Sequence, residues 1–486
     1  MTGLAVRSPL VLRPDPARVI ARRFLPGQEL LTDGRARVDA VVDRVLAMDP
    51  ADVTASLAET VATFGNRHDD LAAVFEEHFA PVRTRPQTGD VTSEQAALIG
   101  AYFTQEYALE AAALFNPSMV AHPDQSGLAA GELRFLMSVR SVGEGHVSSI
   151  QLRTGVLGAG PADLRVDPPG RPRTPEHRAA SIPRSVLLAA LADRTGTRTD
   201  NLAGLLPGQV DAGNLDRVLE LVRGQYFDRN RGVPAAEQLR WVFTCDYELE
   251  VPADRPLADT VLFPLAPDES HGLEDARITR FVEEDGQVAY HATYTAYDGA
   301  AITSHLLSTD DFRTLQVRQL LGPASKSKGM ALFPRRVGGS YTALVRWDRE
   351  SIGIARSTDL RWWDGAVTVQ QPSTAWDLIQ LGNCGPPIET EAGWLVLNHG
   401  VGPVRRYGIG AVLLDLGDPT VLRGVLPEPL LLPDEDERVG YVPNVVYSCG
   451  ALVHGDALVL PYGCSDSSIR CAFVDLPALL GRLTGG

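Results

Sequence analysis

The densest polar run in the 486-residue sequence is ESHGLEDARI at 269–278, where Glu274 and Asp275 are adjacent and Arg277 follows closely. On a regular strand, neighbours face opposite sides, so only one of these two carboxylates is expected to enter a given pocket. A second run, KSKGMALFP at 326–334, is followed eighteen residues after Lys328 by Arg346 in LVRW. Cations on neighbouring strands near a carboxylate suit an anionic or polyhydroxyl ligand. A third run, GNCGPPIETEAGWLVLNHG at 382–400, places Glu389 after a Pro-rich corner and His399 at the end of the next strand. Asp275 and Glu389 together supply the two carboxyls that cleavage of a glycosidic bond requires. Each run also has a plainer reading: a surface ion pair, a solvated loop and a structural histidine.

These side chains need elements to hold them. Residues 38–48, 52–64 and 69–79 carry apolar residues at three- and four-residue spacing and are expected to be helices. Asp49 followed by Pro50 is a favoured helix start. A fourth helix is expected over 92–115, opened by a capping box of Thr92 with Gln95 and stopped at Asn116–Pro117. From residue 116 the period changes to two. Five segments share a glycine turn followed by an alternating strand, starting at Gly131, Gly286, Gly339, Gly393 and Gly455. Their intervals are 155, 53, 54 and 62 residues, and a recurrence near 55 is of the kind that propeller blades produce. The long first interval holds an insertion, with helical periodicity at 185–194 and 214–227. A β-sandwich would instead give turn signals every 8–12 residues. The expected fold is therefore mainly β: a five-bladed β-propeller over 111–486, a helical insertion at about 168–240 and an N-terminal helical region over 1–110. In a propeller the inner strands converge on the axis, which would gather Arg140, Thr295, Arg346, His399 and Asp466 into one ring.

Composition narrows the function classes. With 45 basic and 61 acidic side chains the net charge is −16, which argues against a nucleic-acid partner. No stretch approaches the ~18 uninterrupted apolar residues of a membrane helix, and the first residues, MTGLAVRSPLVLRPDP, lack a signal-peptide core. Five scattered cysteines without a C-x-x-C pair read as small buried residues in a reducing cytoplasm. No His/Asp/Cys set has metal-ligand spacing, so neither a metal nor an organic cofactor is expected. Among the basic residues only Lys326 and Lys328 are lysines, which marks a place where a compact ammonium is wanted.

Eight segments, in order, resemble glycoside hydrolase family 130: FNPSM (115–119), GLEDARI (272–278), TYTAYDG (293–299), KGMALFP (328–334), GPPIET (385–390), GWLVLNHG (393–400), YVPNVVYSCG (441–450) and YGCSDSSI (462–469). The resemblance implies a five-bladed propeller that acts on β-mannosides, β-1,2-linked ones foremost, with inversion. It implies that Asp275 is the general acid, passing its proton through a hydroxyl of the bound mannose and keeping that proton near neutral pH. It also implies that Asn116, Arg140 and Asp466 contact the sugar, and that Tyr297 and His399 line the pocket. Lys328 and Arg346 match positions that hold phosphate in the family's phosphorylases. A third such position, a lysine there, is Glu389 here. A glutamate would repel phosphate and could activate water, so hydrolysis is the favoured reading, with Glu389 as base. The alternative is phosphorolysis, with inorganic phosphate as co-substrate and mannose 1-phosphate as product. A non-catalytic sugar-binding propeller is a third reading. A homo-oligomer is compatible with all three.

Overall fold

The computed structural model describes residues 3–27, 30–85, 88–225 and 229–485. The chain divides into two compact units. One comprises Asp15–Ala111 with Arg171–Arg173, and the other Met1–Pro14, Ala112–Gly170 and Thr174–Gly486.

The smaller unit holds the helices Arg37–Leu46, Pro50–Phe64, Leu71–Phe79 and Ser93–Tyr102. They bury a common core that includes Val42, Val45, Val53, Phe79, Leu98 and Phe103. Pro50 opens its helix, and the Thr92–Gln95 capping box forms as expected. The fourth helix is much shorter than its sequence suggests. It ends at Tyr102, and Thr104–Ala108 is a strand paired antiparallel with Val19–Arg23. Burial of Phe103 and the Thr104 hydroxyl, which donates to the Gly100 carbonyl, close the helix at that point.

In the larger unit, Ala113–Ala121 is likewise strand and passes straight through Pro117, where the ladder bulges between Phe115 and Ser118. Five antiparallel runs of strands follow one another, the first two joined into one sheet by a parallel pairing of Gly272 with Ser148. The first is Ala113–Ala121, Leu133–Val142 and Ser148–Leu157; the second is Gly272–Val282, Val288–Tyr297, Ile302–Thr309 and Thr314–Gln319. The third is Ala331–Leu332, Tyr341–Val345, Ile352–Ser357 and Val367–Gln370; the fourth is Gln380–Asn383, Gly393–Val401, Tyr407–Leu414 and Leu422–Val425. The fifth, Val446–Tyr447, Ala457–Cys464 and Ser468–Asp475, is completed by the N-terminal strand Ala5–Leu12. Residues 5–12, expected to belong to the helical region, are thus strand; AVRSPLVL owes this to its pairing with Ser468–Asp475 rather than to strong local propensity.

Apolar clusters fill the spaces between successive runs. Leu152 and Leu136 pack with Ile278 and Tyr290 between runs one and two. Phe281 and Leu306 meet Leu332 and Trp363 between two and three. Phe333 and Ile354 meet Trp394 and Val396 between three and four, and Leu397 and Leu413 meet Leu458 and Leu460 between four and five. Met137 and Phe135 meet Val459 and Phe473 between five and one. The segment between the first two runs holds the helices Arg184–Thr195, Leu215–Gln225 and Arg229–Thr244 together with the short strands Glu176–Ala179, Ile182–Pro183 and Gln209–Val210, and its helices have a core of their own. Among the described residues no helix is long and apolar enough to cross a membrane. All five cysteines are free and buried.

Candidate active site

Three of the five runs contribute a polar residue with left-handed backbone at the same pocket: Asn116 (φ 50°), Asp275 (φ 56°) and Asp466 (φ 49°). Asn and Asp tolerate this conformation better than other side chains, and such outliers concentrate at functional sites. The one at Asp275 corrects the strand argument made from sequence. The ladder slips between Glu274 and Arg277, and this bulge turns both Glu274 and Asp275 into the pocket. Just upstream, Gly272 (φ 132°) lies so close to Ser148 that a Cβ would come within 2.3 Å of its hydroxyl. Only glycine lets the acidic strand start there.

The cavity measures about 240 Å³. Arg140 spans the two carboxylates, donating to Glu274 at 2.9 Å and to Asp275 at 3.3 Å. Asn116 donates to the same Asp275 oxygen at 2.7 Å, and Lys328 pairs with the other oxygen of Glu274. Arg277, buried behind them, donates to the Asp275 carbonyl and to the Tyr447 hydroxyl, both at 2.9 Å. On the facing wall Arg346 lies 3.4 Å from His399 Nε2, and His399 stacks on Tyr407 with centroids 6.0 Å apart. Gly382 makes room for that pair, since a Cβ there would meet His399 at 2.7 Å and Arg346 at 3.0 Å.

The charges shift one another. Burial raises the Asp275 carboxyl, but Arg140, Arg277, the Asn116 hydrogen bond and Lys328 outweigh it and hold it below the usual carboxylate range. Against the expectation that Asp275 keeps its proton near neutral pH, the protein's own four donors and cations favour its anion. Asp466 carries the opposite shift. Burial, and then the charge of Asp275, push it up to about 6 against the pull of Arg140 and Arg405. Burial, with Arg346 and Arg277 adding to it, holds His399 well below the usual histidine range, so its imidazole is neutral.

Of the residues singled out in the sequence, Asn116, Arg140, Asp275, Lys328, Arg346, His399 and Asp466 meet in this pocket. Tyr297 stands beside it, with its ring 6.0 Å from Lys328 Nζ and its hydroxyl donating to the Gly299 carbonyl. Thr295 is buried in the ladder opposite Glu274 and does not line the cavity. Lys326 pairs with Asp193 of the insertion.

Glu389 is a correction. It sits on the short strand Ile388–Thr390 and is gripped by Arg335 through Nε and Nη2, at 2.6–3.1 Å. Both line a different cavity of about 510 Å³, together with Met119, Ile278 and Val453. These residues lie further along the strands and segments that carry Asn116, Asp275 and Tyr447. Glu389 cannot act as the base in the Asp275 pocket.

Sequence reasoning missed Arg405, Gln380, Tyr407 and Tyr447, which also border the pocket. Tyr447 lies within one of the recognised segments, whereas Arg405 sits in an irregular turn that no periodicity marks.

Residues 255–483 match a family profile described as beta-1,4-mannooligosaccharide phosphorylase. A beta-1,2-mannobiose phosphorylase of Listeria innocua is 34% identical over 229 residues, which are 46% of this chain; the match spans 63% of the relative's length. A 1,2-beta-oligomannan phosphorylase of Thermoanaerobacter is 34% identical over 212 residues, covering 43% of this chain and 70% of the relative. The solved structure of the Listeria innocua enzyme with beta-1,2-mannobiose superposes with a TM-score of 0.44 at 22% identity, covering 78% of this chain and 93% of that one. With the acidic strand, its cationic partners and the matched segments all in the larger unit, the chain belongs to glycoside hydrolase family 130.

Proposed function

We propose that this chain cleaves β-mannosides, β-1,2-linked manno-oligosaccharides foremost, with inversion at the anomeric carbon, and that inorganic phosphate is the acceptor the pocket suits best. The observation that carries the reading is the pocket's charge pattern. Glu274, Asp275 and Asp466 face Arg140, Lys328, Arg346 and Arg405 in one small cavity, and Arg346 and Arg405 have no carboxylate partner among the described residues. Asn116, Arg140 and the carboxylates suit sugar hydroxyls, which both donate and accept. Asp275 serves as the acid that delivers a proton to the leaving oxygen through a sugar hydroxyl. A dianionic phosphate and a desolvating sugar would both raise the protonation of the Asp275–Asp466 pair. Attack by phosphate on the face opposite the leaving group gives α-mannose 1-phosphate. The matched relatives named as phosphorylases support the same acceptor.

Hydrolysis stands beside it as the second reading, and one observation favours it: Asp466, pushed up to about 6, is a carboxylate in the pocket suited to activating water. A pH profile separates the two. If Asp466 is the base, the rate rises with pH through about 6; if the carboxyl pair must hold a proton, it falls over the same range. Product analysis with and without phosphate decides between mannose 1-phosphate and mannose.

The architecture we propose for the larger unit is a five-bladed propeller. It is supported by five successive strand runs, by the apolar layers that join each run to the next and the last to the first, and by the N-terminal strand that completes the fifth run. Catalysis is assigned to this unit, within 111–486. The five free, buried cysteines support a reducing, cytoplasmic setting.

A further inference from the structure

Most cations around the pocket are already committed. Arg140 is bound to Glu274 and Asp275, Lys328 to Glu274, and Arg277 to the Asp275 carbonyl and Tyr447. Arg346 is different. Its contact is the uncharged His399 imidazole, and its Nε is buried without a hydrogen-bond partner among the described residues. Arg405 is different too: it borders the same cavity, its guanidinium lies 5.9 Å from the Tyr407 ring, and no carboxylate pairs with it among the described residues. The stacked His399 and Tyr407 rings connect the two, with Arg346 against one ring and Arg405 over the other.

The backbone that delivers Arg405 is unusual. Val404 (φ 59°) and Arg405 (φ 53°) are consecutive non-glycine residues in the left-handed region, and Val404 is 87% exposed. A β-branched residue in that conformation is a genuine outlier, and packing of the Val404 side chain cannot explain it. The turn is pinned by backbone hydrogen bonds from Gly402 to the Arg406 carbonyl and from Arg406 to the Pro403 carbonyl, at 3.0 and 3.3 Å. What this geometry achieves is to bring a guanidinium to the pocket mouth.

We propose that Arg405 acts with Arg346 as the pair of guanidinium groups that receives the phosphate co-substrate, so that Arg405 determines how well this chain uses phosphate. The inference rests on phosphate being the acceptor. Guanidinium forks match phosphate oxygens, and these two form no ion pair with a carboxylate among the described residues, Asp466 feeling Arg405 only through its charge, so together they offer an anion site. A sugar, being uncharged, would gain much less from Arg405.

The test is steady-state kinetics of the full chain and of Arg405→Gln and Arg405→Lys on β-1,2-mannobiose, with inorganic phosphate and sugar varied in turn. Because the turn is on the surface, melting temperatures close to the unmodified chain's are expected and are measured alongside. Arg405→Gln should raise the KM for phosphate by about tenfold or more while the KM for mannobiose moves by less than about threefold. Arg405→Lys should recover part of the loss, since it keeps the charge but not the fork. An unchanged phosphate KM in folded Arg405→Gln, with mannose 1-phosphate still formed, overturns the role of Arg405 and leaves the phosphate reading standing. If the unmodified chain releases only mannose at every phosphate concentration, the phosphate reading fails and the inference falls with it.

Discussion

Two carboxylate–arginine groups lie along the same set of strands and segments, and they differ in every property that matters for chemistry. At one end Arg140 holds Glu274 and Asp275, whose side chains are only 11% and 15% exposed, on a bulged strand with a left-handed residue. At the other, Arg335 holds Glu389, whose side chain is 42% exposed, on regular strand. The first group is desolvated, is shared among several donors and leaves Asp466 shifted to about 6. The second is a two-residue fork in contact with solvent, and its arginine also lies over the Trp394 ring. Residue type and spacing do not separate them. Burial and backbone register do, because low effective dielectric magnifies charge interactions and a bulge decides which way a side chain points.

The largest effect expected from this contrast is on rate. Asp275→Asn should lower turnover by about 10²–10⁴-fold with the fold intact, since the amide cannot donate the proton, while Glu389→Gln should stay within about twofold. Comparable losses in the two variants, measured on β-1,2-mannobiose, would erase the contrast. Next in size is a stability effect at Asp466. Its carboxyl titrates at about 6 in the folded chain, against about 3.9 when unfolded. The folded state therefore binds more protons between those values, and stability falls as pH rises through that window. Above pH 6 the full cost of the buried charge is present. Asp466→Asn should then be more stable by about 1–2 kcal/mol at pH 7.5 and no more stable at pH 3.5, as read from urea unfolding. A pH-independent difference would contradict the assigned burial. The smallest effect is at the exposed pair: Glu389→Gln should cost about 0–1 kcal/mol at neutral pH, and less at high salt.

Much of the site was legible because its residues lie in compact sequence motifs. FNPSM, GLEDARI, KGMALFP, NHG and CSDS supplied Asn116, Asp275, Lys328, His399 and Asp466, and the structure brings all five together. What the pattern could not carry is the face each residue takes. Alternation assigns faces only while the ladder is regular, so the slip after Glu274 hid the second carboxylate, and the regular strand at Ile388–Thr390 carried Glu389 to the far cavity. Arg405 escaped notice for a related reason: a turn held by backbone hydrogen bonds leaves no periodic trace. In the fold, the five strand runs followed from the glycine-turn recurrence, but the strands at 5–12 and 104–108 did not. Short strands owe their state to their partners, here Ser468–Asp475 and Val19–Arg23, more than to local propensity.

The most direct test of the account is proton NMR of the anomeric region during the first turnovers of β-1,2-mannobiose, run in parallel with and without inorganic phosphate. The account predicts that α-mannose 1-phosphate accumulates first, and only when phosphate is present, with Asp275→Asn inactive under the same conditions. Initial formation of β-mannose 1-phosphate, release of mannose alone in the presence of phosphate, or equal activity in Asp275→Asn would contradict it.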